Sequence, residues 1–573
     1  MLSLRFVLLS LLFPHFVMGQ LENDDDPRLR VDYWLKEHRQ VTQLPECQEA
    51  QEIFEVLLAV ADKPVDVRPK LYIFSDLPFG KVFALPDGAI ILPLRVIKFC
   101  FESPVNGKAR LAFILGHELK HVVHRDYWAI KQVLGFAPEV PREARKAIER
   151  QADEYGILYT ALAGYDVRAI VSPRSNFLLA YYDSLGGGDY GEAAANSAES
   201  RLQAINRRLA GIVTHLDLFH FGVRLYVVGE YDAAIALLEK FAAQYPSREV
   251  FNNLGMCYYQ KAFIHYAKWQ ERAADTDPHL VFRVSTQIDP VSRLRTKSVE
   301  QSSFQELIEQ ARKNFEEAKR QDETYAIALN NLGCAHLLKG EVDFARGYFK
   351  KVLELKSSDA ASLNNLGVAS MIEGEAGSAE EHFKKALRSD ADYREPIYNL
   401  GRLYHQIGRI NEATAHFKKY LQLDSTSLYA GVIHELLGKK PAVRAFASVV
   451  ESIGGKIPGQ LPEATRGYSN QFIIPAAEIT ILHDPAQDVD HFQYVARNSG
   501  EKTAMICAQN NHKGSSANGI RIGSPEKLLD EKYAFPYSVK IVGAGSWRIY
   551  ERLNLAFEVR NQKVRAWYVY SSQ

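Results

Sequence analysis

The sequence predicts a mainly helical chain of several domains: a helical N-terminal domain, an α-solenoid of repeats, and a small α/β module at the C-terminus. Three observations carry this expectation. At 573 residues the chain exceeds what one hydrophobic core supports, and ~150 residues per domain gives three or four. Six positions recur with a step of 34 residues in the central part. The last ~110 residues then change from helical periodicity to short apolar runs of strand type.

Apolar residues make up 47% and charged residues 24%, as in ordinary globular proteins. The formal net charge is zero, so no basic field draws nucleic acid or an anionic membrane, and no nucleic-acid partner is expected. The chain opens MLSLRFVLLSLLFPHFVMG, with Arg5 before an apolar run that Pro14 breaks. Val17 and Gly19 fit the −3 and −1 positions of a cleavage site before Gln20, so residues 1–19 read as a signal peptide. The run is too short for a span of ~20 apolar residues. The chain is therefore expected to be exported, periplasmic by preference, with membrane association at most peripheral. Of the five cysteines, Cys47 and Cys100 share the first domain and could pair in an oxidising compartment. Small buried hydrophobes are the weightier reading of all five.

In the first domain (20–212), the segment from Val31 to about Asp62 has helical character. The strand-like run Leu71 to Phe74 follows. Two more apolar runs flank Pro86-Asp87-Gly88, a strong hairpin signal. A long amphipathic helix is expected from Lys108 to about Val133, a break at Pro138 and Pro141, and another helix from about Arg142 to Leu162. Gly186, Gly187 and Gly188, close to Asp189 and Gly191, form an expected mobile joint.

The chemistry centres on His117-Glu118-Leu119-Lys120-His121. Four residues of helix advance ~400° and ~6 Å, so both imidazoles leave one face a turn apart. That spacing suits two ligands of one Zn²⁺. Glu118 lies ~100° round the helix, placed to take a proton from metal-bound water as general base. Tyr127 stands where a metzincin needs its third histidine. His124 lies ~10 Å along the axis from His117 and reads as polar surface or as support behind the ligands. Glu149, in IERQADEYGILYT, is the better third ligand, with Asp153 one turn on to accept an imidazole N–H. Taken alone, Glu149 reads more readily as a solvated helical carboxylate.

The repeats occupy 213–438. Asn331, Leu332 and Gly333 recur as Asn365, Leu366, Gly367 and as Asn399, Leu400, Gly401. Gly340, Ala345 and Phe349 keep the same 34-residue step. A 34-residue helix–turn–helix period is the tetratricopeptide signature. The first Gly lets paired helices approach, the second ends helix A, and Ala and Phe pack between helices. Earlier copies fall at Gly222 and at Gly255, the latter interrupted by a polar insertion near 272–302, giving about five repeats. Residues 439–462 read as a linker, and 463–573 as a small α/β domain with one helix near Pro525 to Tyr533. Trp547, Tyr550 and Tyr568 are expected in its core rather than on a binding surface.

HELKHVVHR followed by ERQADEYGILYTALAGYDVRA resembles the M48 family of zinc metallopeptidases over roughly residues 65 to 210. The family pattern is HExxH, then a Glu with Ala-Asp three and four residues on, an aliphatic helix and Gly-Tyr-Asp. The resemblance implies a mainly α, zincin-type metalloprotease domain with one Zn²⁺ held by His117, His121 and Glu149, and Glu118 as catalytic base. FALPDGAIIL resembles the family's strand hairpin beside the active site, making Ala89, Ile90, Ile91 and Leu92 the expected edge for an extended protein substrate. Two parts of the pattern are not kept. Lys81 replaces the usual Asn, and Ala195 and Asn196 replace the His-Pro ahead of Arg201, so a histidine latch is not carried over. A signal sequence, this domain and tetratricopeptide repeats together resemble periplasmic quality-control proteases that act near outer-membrane assembly. The C-terminal module faintly resembles small envelope domains of the SmpA/OmlA type. The expected function is thus a zinc endopeptidase for misfolded or misassembled envelope proteins, its repeats recruiting substrate or the outer-membrane assembly machinery. The alternative is a tetratricopeptide scaffold or chaperone with a latent peptidase domain.

Overall fold

The computed structural model describes residues 26–61, 67–77, 80–102, 107–127, 142–167, 170, 177, 211–212, 215–270, 301–424, 428–438, 451–453, 456–459, 468–474, 477–484, 487–497, 500–509, 512–533, 537–542 and 545–572. The signal segment, the Gly186–Gly191 joint, Ala195, Asn196 and Arg201 lie outside the described residues, as does the insertion up to residue 300. The chain divides into two compact units, 1–212 and 213–573.

The first unit contains α1 (Val31–Glu37), α2 (Pro45–Val60), β1 (Lys70–Phe74), β2 (Phe83–Ala84), β3 (Ala89–Pro93), α3 (Leu94–Phe101), α4 (Gly107–His124) and α5 (Arg142–Leu162). Pro45 opens α2 in the first turn, where its missing N–H has no helical partner to lose. The expected hairpin forms, with Gly88 at φ +85° and the Leu85 N–H donating to the Ala89 carbonyl (2.7 Å). The strand order, however, is β1-β3-β2.

This order corrects the expected substrate edge. Ala89, Ile90, Ile91 and Leu92 pair with Lys70 to Ile73 on one side, while Ile90 and Ile91 face Ala84 and Phe83 on the other. β3 is therefore the central strand, and β2 is the outer one. The physical reason is legible in AIIL: a continuous apolar run, buried throughout, belongs to a strand covered on both faces. The hairpin pattern could not show on which side β1 would join.

α4 also ends earlier than expected. Arg125 adopts the left-handed conformation (φ +56°), and the Asp126 N–H donates back to the His121 carbonyl (3.1 Å), closing a Schellman-type turn.

In the second unit, helices pair as the repeat period requires: α6 (215–228) with α7 (Tyr231–Ala242), α8 (Arg248–Gln270) with α9 (Gln301–Gln321), α10 (Ala326–Leu338) with α11 (Val342–Leu355), α12 (Ala360–Ile372) with α13 (Ala376–Ser389), and α14 (Arg394–Gln406) with α15 (Ile410–Leu423). α16 (Leu428–Leu436) follows the fifth pair. The glycine logic holds in detail. A Cβ at Gly367 would stand 2.5 Å from the Phe383 ring, and one at Gly401 equally close to Phe417, so only glycine admits the ring. Gly340, Gly374 and Gly408 turn the chain at φ +78°, +77° and +79°. The recurring asparagines also bind repeat to repeat. Asn331 donates to Asn252 (2.8 Å), Asn365 to Asn330 (3.0 Å) and Asn399 to Asn364 (2.9 Å), all fully buried. A buried amide left without such a partner would cost more than the bond gains.

The C-terminal module is more strand-rich than the sequence suggested. β4 (Tyr468–Ile474), β5 (Ala477–Asp484), β6 (Val489–Ala496), β7 (Lys502–Gln509), β8 (Ser538–Val542), β9 (Gly545–Tyr550), β10 (Leu555–Arg560) and β11 (Lys563–Ser572) form one antiparallel sheet, order β4-β5-β6-β7-β11-β10-β9-β8. The helix α17 (Lys527–Lys532) packs beside Leu555, Phe557 and Trp567 on one face. The other face meets the first repeat: Phe492 stacks on Phe221 (4.6 Å), and Arg224 pairs with Asp490 (3.2 Å) beneath Tyr568. Trp547, Tyr550 and Tyr568 are buried, as expected. Part of the expected linker belongs to this core, because Ile453 is buried and Glu451 accepts from Tyr533 Oη (2.6 Å) and the Ala517 N–H (3.0 Å). All five cysteines are buried with free thiols. Among the described residues no helix is long and apolar enough to cross a membrane.

Candidate metal centre

Two glycines let α4 and α5 cross closely. A Cβ on Gly156 would lie 3.0 Å from the Phe113 carbonyl oxygen and 3.2 Å from the His117 nitrogen. A Cβ on Gly116 would lie 3.2 Å from the Gly156 oxygen. Gly116 directly precedes His117, and Gly156 follows Glu149 by seven residues, about two turns. The close crossing therefore brings Glu149 opposite both imidazoles.

The three side chains converge. His117 Nε2 is 3.2 Å from His121 Nε2, His117 Nε2 is 3.5 Å from Glu149 Oε2, and His121 Nε2 is 3.4 Å from Glu149 Oε1. Zinc takes nitrogen and carboxylate oxygen at about 2.0–2.2 Å in a tetrahedron, which sets neighbouring donors about 3.3–3.5 Å apart. The triangle has that size. One donor atom from each residue lies within 4.8 Å of the others, and this trio is the set of metal-ligating side chains that the described residues bring together.

The outer imidazole nitrogens are also committed. His117 Nδ1 meets Asp153 Oδ1 at 3.0 Å, and His121 Nδ1 meets Asp126 Oδ1 at 2.8 Å. A carboxylate accepts only, so each Nδ1 donates and each Nε2 turns a lone pair toward the other. Two lone pairs 3.2 Å apart repel unless a cation lies between them, and the residues fit one. Without an ion, protonation takes that place. Burial opposes charge on His117, but Asp153 and Glu149 outweigh it and raise its pKa well above 6.5. Burial likewise opposes charge on His121, while Asp126 and then Glu149 carry its pKa up to about 9. Glu149, which burial alone would neutralise, is held well below the carboxylate range by hydrogen bonds from His117 and His121.

Glu118 is buried, and its Oε2 has no hydrogen-bond partner. Burial raises its pKa, against the opposing charges of His121 and His117. A buried carboxylate oxygen left without a donor beside three metal-ligating groups is placed to receive a proton.

The structure thus gathers His117, Glu118, His121, Glu149 and Asp153 into one site. His124 stands apart, exposed, its ring edge-on to Tyr155 at 5.4 Å. The substrate-edge residues Ala89 to Leu92 are interior strand. Asp126, Gly116 and Gly156 also build the site, although they lie outside the motif residues expected there. The glycines carry a usable signal, since each lies inside a helix adjoining the motif, where glycine is otherwise disfavoured. Asp126 carries none, because its reach to His121 depends on the turn at Arg125.

Comparisons with known proteins concern the repeats. Models of the tetratricopeptide repeat match residues 304–360 and 370–433. No curated protein matches the chain. Among solved structures, a thermophilic TPR protein of Thermus thermophilus is 21% identical over 39% of this chain and 98% of its own, with a TM-score of 0.28. MamA is 20% identical over 36% of this chain and 94% of its own (TM-score 0.24). YrrB, described as a TPR protein with an unusual peptide-binding site, is 16% identical over 38% and 90% (TM-score 0.24). Tetratricopeptide repeats generally mediate protein–protein interactions, and the two matched stretches suggest a protein-interaction scaffold.

Proposed function

We propose that the chain is a zinc-dependent endopeptidase whose repeats recruit its protein substrate or a partner. The observation that carries this reading is the convergence of His117, His121 and Glu149 at tetrahedral spacing beside the unpartnered Oε2 of Glu118. When bound, zinc polarises a scissile carbonyl and makes water acidic enough to attack near neutral pH. Glu118, with its buried Oε2 free of a hydrogen-bond donor, would accept a proton from the attacking water and return it to the leaving amine. Asp153 and Asp126 hold the two imidazoles with Nδ1 donating and Nε2 inward. An extended substrate adds to the outer edge of β2, Phe83–Ala84, rather than to β3, because β3 is paired on both sides. With the signal segment read from the sequence, the substrates are misfolded or misassembled proteins of the cell envelope.

A second reading is a binding scaffold with a latent peptidase domain. The repeat matches favour it, since they identify residues 304–360 and 370–433 as tetratricopeptide repeats. One experiment separates the two: metal analysis of the full-length protein together with casein cleavage by the protein and by Glu118→Gln. One zinc per chain and cleavage that Glu118→Gln abolishes supports the peptidase. Zinc-independent partner capture with no cleavage supports the scaffold and overturns the peptidase.

A further inference from the structure

Lys120 sits inside the motif yet is almost wholly enclosed, 1% exposed. Its ammonium pairs with Oδ2 of Asp126. The other oxygen of that carboxylate accepts from His121 Nδ1 at 2.8 Å. Asp126 reaches both groups because Arg125 takes a left-handed conformation, φ +56°, and because the Asp126 N–H returns to the His121 carbonyl (3.1 Å). A non-glycine residue is disfavoured there, so the turn is held by the contacts it creates.

The two imidazoles are thus supported differently. His117 leans on Asp153, which belongs to the neighbouring helix α5. His121 leans on a carboxylate from the end of its own helix, and that carboxylate is pinned by a buried cation. An apolar side chain of similar size would fill the place of Lys120 without losing water from an ammonium. What the ammonium adds is orientation: with Oδ2 engaged, Oδ1 has one direction in which to accept. His121 then donates from Nδ1, and Nε2 is the atom left for an ion.

We propose that Lys120 is a positioning residue of the metal centre, fixing Asp126 and through it the tautomer and ring orientation of His121. This rests on the metal-centre reading above.

The test uses the full-length protein. Zinc affinity is measured by chelator competition, and the visible spectrum is recorded with Co²⁺ in place of zinc. Asp126→Asn should weaken zinc binding roughly 10- to 100-fold, as loss of such a supporting partner does. Lys120→Met should weaken it roughly tenfold, and Lys120→Arg should restore most of the affinity and the parent Co²⁺ spectrum. Because Lys120 acts through Asp126, the double variant Lys120→Met/Asp126→Asn should bind no more weakly than Asp126→Asn alone. Losses that multiply in the double variant would overturn the proposal, as would parent-like zinc affinity in a folded Lys120→Met. Should Lys120→Met fail to fold, the Co²⁺ spectra decide: Asp126→Asn must differ from the parent and Lys120→Arg must match it, and any other pattern overturns the link. Absence of zinc binding by the parent protein itself would overturn the metal-centre reading and this one with it.

Discussion

Replacing Gly156 by alanine tests whether the α4–α5 crossing builds the site. The added methyl would stand 3.0 Å from the Phe113 carbonyl oxygen and 3.2 Å from the His117 nitrogen. Both neighbours are backbone atoms of α4, so they yield only if the helices part by a few tenths of an ångström. Overpacking of this kind costs about 1–3 kcal/mol. Alanine returns about 1 kcal/mol of helix propensity, leaving a net loss of up to about 2 kcal/mol. For a unit of this size, that lowers the midpoint of thermal unfolding by up to about 8 °C. Gly347 supplies the control. It lies exposed in α11, a Cβ there meets nothing within 4 Å, and Gly347→Ala should stabilise by up to about 1 kcal/mol. Calorimetry of the two variants reads the stability. Chelator competition reads the site, because parted helices move Glu149 away from His117 and His121 and should weaken zinc binding in Gly156→Ala alone. A Gly156→Ala protein that gains stability as Gly347→Ala does, with zinc affinity unchanged, would refute the argument that glycine contact sets the ligand spacing.

Glu118→Gln should keep its zinc and fold while peptide hydrolysis falls by about 10²-fold or more, since an amide cannot take the proton; loss of the metal would show that Glu118 is itself a ligand. Glu149→Ala should lose most of its zinc by elemental analysis, and His124→Ala should keep it, the reverse result breaking the ligand assignment. In the metal-free protein, the paired His121 contributes stability that is full below its ordinary 6.5 and fades as pH rises through about 9, so urea midpoints of chelator-treated protein should drop between pH 7 and 10. Zinc should flatten that drop, because a liganded Nε2 carries no proton to lose. Asp490→Ala leaves the buried Arg224 without its carboxylate and should cost about 3–5 kcal/mol in urea unfolding. An unchanged midpoint would show that the sheet and the first repeat do not share this contact.

Local spacing determined a large part of this protein. A four-residue step puts His117 and His121 on one face of any helix, and the 34-residue register fixes where Gly367 must meet Phe383 and where Gly374 must turn, before any contact is known. The helix over Arg142–Leu162 was likewise readable, being long and periodic. The tertiary structure alone decided which strand lies at the sheet edge, because β1 could join the hairpin on either side and chose the apolar β3. It also decided that β6 is a strand despite Asp490 and His491, polar residues that are both buried, Asp490 by pairing with Arg224 of the first repeat. Whether the Glu149 carboxylate lies in solvent or against the histidines turns on the crossing at Gly116 and Gly156, which brings it from another helix to 3.4–3.5 Å from both imidazoles. Asp126 and Lys120 depend on a left-handed turn at an arginine, a conformation that nothing in the local sequence announces. Periodic features follow from covalent geometry and so can be read along the chain. Contacts between segments far apart follow from how whole helices and strands pack, and no spacing in the sequence encodes them.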